Sequence, residues 1–223
     1  MVIPQPGGYT TREEIAHSVT AALGMIAALA AVPWLILTAA LHGEGIRGGA
    51  VRLIGAIAFG CGALLMFGTS TLYHTVSRPG AKVVLRRLDH SAIYVLIAGT
   101  YTPFAIGVVR GNTGWLLFAA VWTLALAGVA VKMSGRLRIP LLSTALYLWM
   151  GLIGVFVMHP LIAGLTASQL GWVVAGGLCY TGGVPFYLWK RRRYAHAVWH
   201  VFVLAGVACH FVAILSVLRG AHA

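Results

Sequence analysis

The sequence predicts an all-α fold: a polytopic membrane protein built as a seven-transmembrane-helix bundle, with the N-terminus in the cytoplasm and the C-terminus outside. Three observations predict it. Of the 223 residues, 60% are hydrophobic and 9% are charged, against about 25% charged in ordinary soluble domains. Seven apolar runs approach the roughly 20 residues that a spanning helix needs. Lys and Arg collect in alternate loops between those runs, as the positive-inside rule requires.

The runs cover about residues 17–41, 51–76, 90–109, 114–133, 140–158, 169–189 and 196–218, in one membrane domain that fills the chain. The first follows a Pro/Gly-rich start (Pro4, Pro6, Gly7, Gly8) that has no short apolar core of a cleavable signal. Breaks fall at His42-Gly43-Glu44-Gly45, Ser77-Arg78-Pro79-Gly80, Gly111-Asn112, Ser134-Gly135 and His159-Pro160. Small-residue clusters (Gly55-Ala56, Gly60-Cys61-Gly62, Gly176-Gly177) suit close helix–helix contact in lipid. Trp34, Trp115, Trp149, Trp172, Trp189 and Trp199 fall mostly near segment ends, where an interfacial aromatic belt sits. Cys61, Cys179 and Cys209 lie inside apolar runs and form no disulfide framework.

Orientation follows from the cations. Arg12, the second, fourth and sixth loops hold twelve of the sixteen Lys and Arg, ending in Lys190-Arg191-Arg192-Arg193; Arg47, Arg52, Arg110 and Arg219 lie on the other side. The larger share marks the cytoplasm. The +12 formal charge is thus a topology signal, and no nucleic-acid partner is expected.

The chemistry-bearing residues gather at that cytoplasmic face. His196 and His200 are four apart at the start of the seventh run, a spacing that stacks two imidazoles on one helix face. Alone, such a pair reads equally as metal ligands or as buried histidines satisfied by hydrogen bonds. The second helix ends at the same face and carries His74 there; the third begins there with Asp89. Asp89 is read as the sole acidic residue within or at the edge of a span, and ionisable groups at membrane depth are costly and usually functional. Three imidazoles and an open fourth position describe a catalytic zinc, which polarises a bound water to a pKa of about 7. Asp89 is then the general base or the acceptor that holds this water, or else an N-cap of the third helix. Ser70, one turn before His74, is placed to bond the water or a substrate carbonyl, or else a carbonyl of its own helix. Ala197 stands where the His-Glu-x-x-His metalloprotease pattern has glutamate, so proton handling falls to Asp89. His90 is expected at the interface; His17, His42, His159 and His222 are expected in solvent. His210, about 21 Å deeper than His196 at the helical rise, is read as a satisfied intramembrane histidine, possible lining of a cavity.

Several stretches together resemble the bacterial hemolysin III family, in the same broad group as progestin and adipoQ receptors. They are Arg12-Glu13-Glu14-Ile15-Ala16, Ser70-Thr71-Leu72-Tyr73-His74, Leu88-Asp89-His90-Ser91-Ala92-Ile93-Tyr94, Ala98-Gly99-Thr100-Tyr101-Thr102-Pro103-Phe104, Gly176-Gly177-Leu178-Cys179-Tyr180, and His196-Ala197-Val198-Trp199-His200 with His210-Phe211. The resemblance implies seven helices, zinc on His74, His196 and His200, Asp89 and Ser70 in the outer shell, and kinship to membrane ceramidases that hydrolyse a lipid amide. One departure stands out. Family members often carry Asn-Ser-x-Thr-His at the start of the first helix, where this chain has His17-Ser18-Val19-Thr20-Ala21; that stretch lies outside the expected ligand set.

Three functions fit these residues: a zinc-dependent hydrolase of a membrane lipid amide or ester, a lipid-sensing regulator of membrane homeostasis with structural zinc, and a hemolysin or channel. The open site at the depth of lipid carbonyls favours the first, in the plasma membrane (the bacterial inner membrane). A secreted pore-former needs a soluble state that seven apolar spans do not allow. A resident channel needs a polar stripe through both leaflets, and beyond His210, Thr100 and Thr102 little of one is present.

Overall fold

The computed structural model describes residues 8–42, 46–135, 140–189 and 191–220. Every regular element among them is helical: α1 (Thr11–Leu41), α2 (Ile46–Thr75), α3 (Pro79–Phe104) running into a π-turn (Ala105–Val109), α4 (Gly111–Met133), α5 (Pro140–Leu152), a 3₁₀ turn (Ile153–Val157), α6 (Met158–Gly164), α7 (Ala167–Leu188) and α8 (Ala195–Leu218). Six described helices are long and apolar enough to cross a membrane, α5 and α6 counting as one with their 3₁₀ link. The chain is an all-helical, multi-pass membrane bundle. α7 has the length of its neighbours but is diluted by Gly171, Gly176, Gly177, Gly182 and Gly183; it packs along α8 and makes the seventh pass.

α1 starts six residues before the apolar run does. Thr10 caps it in a capping box: the Glu13 backbone N–H donates to Thr10 Oγ1 at 3.3 Å, and the Thr10 N–H donates to Glu13 Oε2 at 2.9 Å. This adds Glu13, Glu14 and His17 to the helix. α3 likewise begins at Pro79, a residue well suited to a first helical turn. Asp89 therefore sits three turns inside α3 and does not cap it.

α3 is the central helix, packed on α2 and α4 and touching α5 and α8. Glycine makes its approach to α2 possible. A Cβ on Gly99 would run into the Ala58 carbonyl, and one on Gly62 would lie 3.0 Å from Leu96 Cα. Among the other expected small-residue contacts, Gly176 lets His210 sit flat against α7.

The fifth span is broken, where one continuous helix over 140–158 is expected. Tyr101 holds the break: its hydroxyl donates to the Gly151 carbonyl at 2.6 Å and accepts from the Gly154 N–H at 2.8 Å. Freed backbone groups at membrane depth persist only where such partners exist. Trp34, Trp115, Trp149, Trp172 and Trp189 are exposed, as a belt requires. Trp199 is buried instead, packed on Tyr187. Cys61, Cys179 and Cys209 are free thiols, and Cys61 faces outward. The described part of the basic loops excludes Arg136, Arg138, Lys190 and the Arg47 side chain, which lie outside the described residues, as does His222.

Candidate metal centre

Four helix ends meet where the N-terminus lies: the start of α1, the end of α2, and the starts of α3 and α8. His74, His196 and His200 arrive there from α2 and α8, with one ligand atom of each within 4.8 Å of the other two. His74 and His200 are buried and His196 nearly so. The three can hold one metal ion.

Hydrogen bonds set which nitrogen each ring offers. His74 Nδ1 lies 2.7 Å from Glu14 Oε2. A carboxylate only accepts, so Nδ1 carries the proton and Nε2 keeps its lone pair. His200 Nδ1 lies 3.2 Å from the His17 carbonyl and 3.0 Å from Thr20 Oγ1; the carbonyl only accepts, so Nδ1 is again the donor. The Nε2 atoms of His74 and His196 are buried with no protein partner. Such orphaned ring nitrogens cost of order 1–3 kcal/mol each when nothing satisfies them, and a shared cation would satisfy those that keep a lone pair. Outer partners that lock ring tautomers are a usual companion of histidine metal sites.

Ser70 Oγ is 3.5 Å from His200 Nε2 and lies beside the Asp89 carboxylate. Ser70 therefore bonds toward the site rather than only to its own helix. Asp89 is buried, its Oδ1 has no hydrogen-bond partner, and its Oδ2 is 3.5 Å from His90 Nδ1. It stands one layer behind the three histidines. His90, partly exposed, donates to the Arg86 carbonyl at 2.7 Å, which suits the interfacial position expected of it. His42 and His159 are exposed. His210 is buried and donates from Nδ1 to the Gly206 carbonyl at 2.8 Å; it lines a cavity, as read from sequence.

Two expectations are overturned by α1. Asp89 is not the sole acid in a span: Glu14 is buried in α1, between His74 and Lys82, whose Nζ is 2.7 Å from Glu14 Oε1. His17 is not solvated. It is wholly buried, and its ring centre lies 4.8 Å from that of His74, 4.9 Å from His196 and 6.0 Å from His200. Placing the helix start at residue 17 put both in a loop. The Thr10-x-x-Glu13 capping signal was present in the sequence, and it moves Glu14 and His17 onto the helix three residues apart, on one face. Glu14, His17 and His74 form a second set with ligand distances. In that set Glu14 is already engaged by the His74 Nδ1–H and by the Lys82 ammonium, while the His74 Nε2 that faces the other set has no protein partner.

Tyr9 covers the cluster, stacked on His196 at 5.6 Å and edge-on to His17 at 4.6 Å. Burial first, then the carboxylates of Glu14, Glu13 and Asp89, push its phenol up to about 12, so it stays neutral. A cavity of about 430 Å³ runs between α3, α5, α7 and α8. Tyr187, 6.2 Å from the His196 ring centre to centre, lines its near end, and His210 its far half.

The family model described as haemolysin-III related matches residues 9–211. The chain is 40% identical over 207 residues to the hemolysin-3 homolog of Bacillus subtilis (strain 168), covering 93% of this chain and 95% of that protein. It is 38% identical over 204 residues to hemolysin-3 of Bacillus cereus, covering 92% and 91%. The monocyte to macrophage differentiation factor of Homo sapiens is 28% identical over 199 residues, covering 84% and 79%. The family match over residues 9–211 and the 40% identity across nearly the whole chain make this multi-pass membrane protein a member of the haemolysin-III related family.

Proposed function

We propose that the chain is a zinc-dependent hydrolase of a lipid amide or ester, resident in the bacterial plasma membrane with the metal centre at the cytoplasmic face. The observation that supports this reading is a three-histidine cluster able to hold a metal near an apolar cavity of about 430 Å³, whose lining residue Tyr187 has its ring centre 6.2 Å from that of His196. Nitrogen ligands in a tetrahedral array suit zinc. When bound, zinc supplies a Lewis acid that polarises a carbonyl and acidifies water.

The chain's own residues do the rest. His74, His196 and His200 present Nε2 lone pairs, with Glu14, Thr20 and the His17 carbonyl holding two of the rings. Asp89, with Oδ1 unpartnered, takes the proton from the attacking water and returns it to the leaving group. Ser70 orients that water between Asp89 and His200. The cavity takes the acyl chain and excludes bulk water. Along α7 from Tyr187 to Gly177 it extends about 15 Å at the helical rise, the length of a medium lipid chain.

The test is turnover of a panel of ceramides, other N-acyl lipids and lysolipid esters by the zinc-loaded protein, with Asp89→Asn beside it. Turnover is expected, and Asp89→Asn is expected to slow it about 10²–10⁴-fold, the usual worth of a positioned base, while retaining its zinc. A fully zinc-loaded protein that binds these lipids and turns over none removes the hydrolase reading and leaves the lipid-sensing one.

A further inference from the structure

His210 stands in the cavity wall far from the metal centre, about 21 Å beyond His196 along α8 at the helical rise. It is 6% exposed, and only half of its imidazole is satisfied. Nδ1 donates to the Gly206 carbonyl at 2.8 Å, which fixes the tautomer and leaves a lone pair on Nε2. Among the described residues, no group donates to that nitrogen. The ring is held in place: Tyr180 stacks on it at 5.5 Å with the planes 12° apart, and it lies against Gly176, where a Cβ would run into the imidazole.

An unpartnered polar atom at membrane depth is costly and usually functional. Other polar groups of the wall do not relieve it, because their protons are committed. Thr100 and Thr181 donate to the Leu96 and Gly177 carbonyls of their own helices at 2.7 and 2.9 Å. Tyr101 donates to the Gly151 carbonyl and Tyr147 to the His90 carbonyl. Most of the remaining wall is aliphatic or aromatic. A trapped water needs about two to four polar partners. A hydroxyl on a hydrocarbon chain needs one acceptor for its proton, and its carbons suit the apolar wall.

We infer that His210 Nε2 accepts a hydrogen bond from a hydroxyl carried on the lipid chain, so that the cavity selects hydroxylated acyl lipids over plain ones. This rests on the reading above that the cavity takes the acyl chain, and it names the substrate class within that reading. With the lipid carbonyl at the three histidines, the depth of His210 puts the hydroxyl in the half of the chain far from the carbonyl.

Equilibrium binding tests it, measured on the full chain purified in detergent and loaded with zinc. The probes are N-acyl ethanolamides of one chain length, with a single hydroxyl walked from the carbonyl end to the methyl end, competed against a fluorescent N-acyl amide. Hydroxyls in the distal half are expected to tighten binding about three- to tenfold over the plain chain, the net worth of one hydrogen bond. His210→Leu, which keeps bulk and loses the acceptor, is expected to bind all members of the set equally well while retaining its zinc. A wild type that shows no preference at any position overturns the proposal, and that profile decides by itself if His210→Leu misfolds. A preference that survives in folded His210→Leu, or one confined to hydroxyls beside the carbonyl, overturns it too. Turnover of the same set separates the two readings: hydrolysis without hydroxyl preference leaves the hydrolase standing alone, and hydroxyl-selective binding without hydrolysis leaves this site standing alone.

Discussion

A single chain of contacts, Lys82–Glu14–His74, decides how the candidate centre is held. Both ends of the Lys82–Glu14 pair are buried and 2.7 Å apart. Removing one partner of a buried pair strands the other charge at a cost of about 3–5 kcal/mol, whereas replacing both with apolar or neutral groups is often close to neutral. Lys82→Met is therefore expected to destabilise the protein strongly, and the double variant Glu14→Gln/Lys82→Met to recover most of that loss in thermal unfolding. Zinc affinity should behave differently. The carboxylate that holds the His74 tautomer is gone in the single variant Glu14→Gln and in the double variant alike, so a loss of about 10–100-fold is expected in both. Recovery of affinity along with stability would mean that Glu14 acts on the fold and not on the ligand. At this scale the gathering of His74, His196 and His200 was legible because a four-residue repeat and loop counting place them at one depth. Glu14 and His17 were missed for a physical reason: α1 begins where capping begins, not where hydropathy rises, and charged residues in the first turn hide the helix from an apolar-run reading. Lys82 was counted as a loop cation for the same reason.

The all-helical, multi-pass fold was legible, since a 20-residue apolar run has few alternatives in lipid. The break between α5 and α6 was not, because it depends on Tyr101 of α3, 50 residues earlier in the sequence, reaching Gly151 and Gly154. Helix contacts were partly legible. Small-residue clusters marked α2 correctly, but composition alone does not tell Gly99, with the Ala58 carbonyl in its way, from Gly80, which has nothing within 4 Å of an added Cβ. The two positions make a matched test. Gly99→Ala forces α2 and α3 apart and is expected to cost about 1–3 kcal/mol. Gly80→Ala, in the exposed first turn of α3, is expected to be neutral or slightly stabilising, by up to about 1 kcal/mol. Thermal denaturation of both in the same detergent measures the difference, and equal midpoints would show that the α2–α3 contact yields more readily than backbone-to-backbone packing allows.

At the scale of the whole molecule, seven passes put the two termini on opposite faces, and the cation count assigns the faces. A reporter enzyme active only outside the cytoplasm, fused after Ala223, is expected to be active, and a cytosol-only reporter at the same place silent; the reverse pattern would invert the orientation and move the metal centre to the outer face. The cavity supplies the last consequence of the architecture. Its wall on α7 includes Gly177, where an added Cβ meets nothing within 4 Å. A large side chain there projects into the far half of the cavity, about 15 Å along the helix from Tyr187, away from His74, His196 and His200. If the cavity holds the acyl chain of the substrate, Gly177→Phe should shorten the longest chain accepted. Turnover of long-chain lipids should fall by tenfold or more relative to short-chain ones, one methylene being worth about 0.8 kcal/mol of burial, with zinc content and thermal midpoint held. An equal loss for every chain length would place the lipid elsewhere, on the outer surface of the bundle rather than within it.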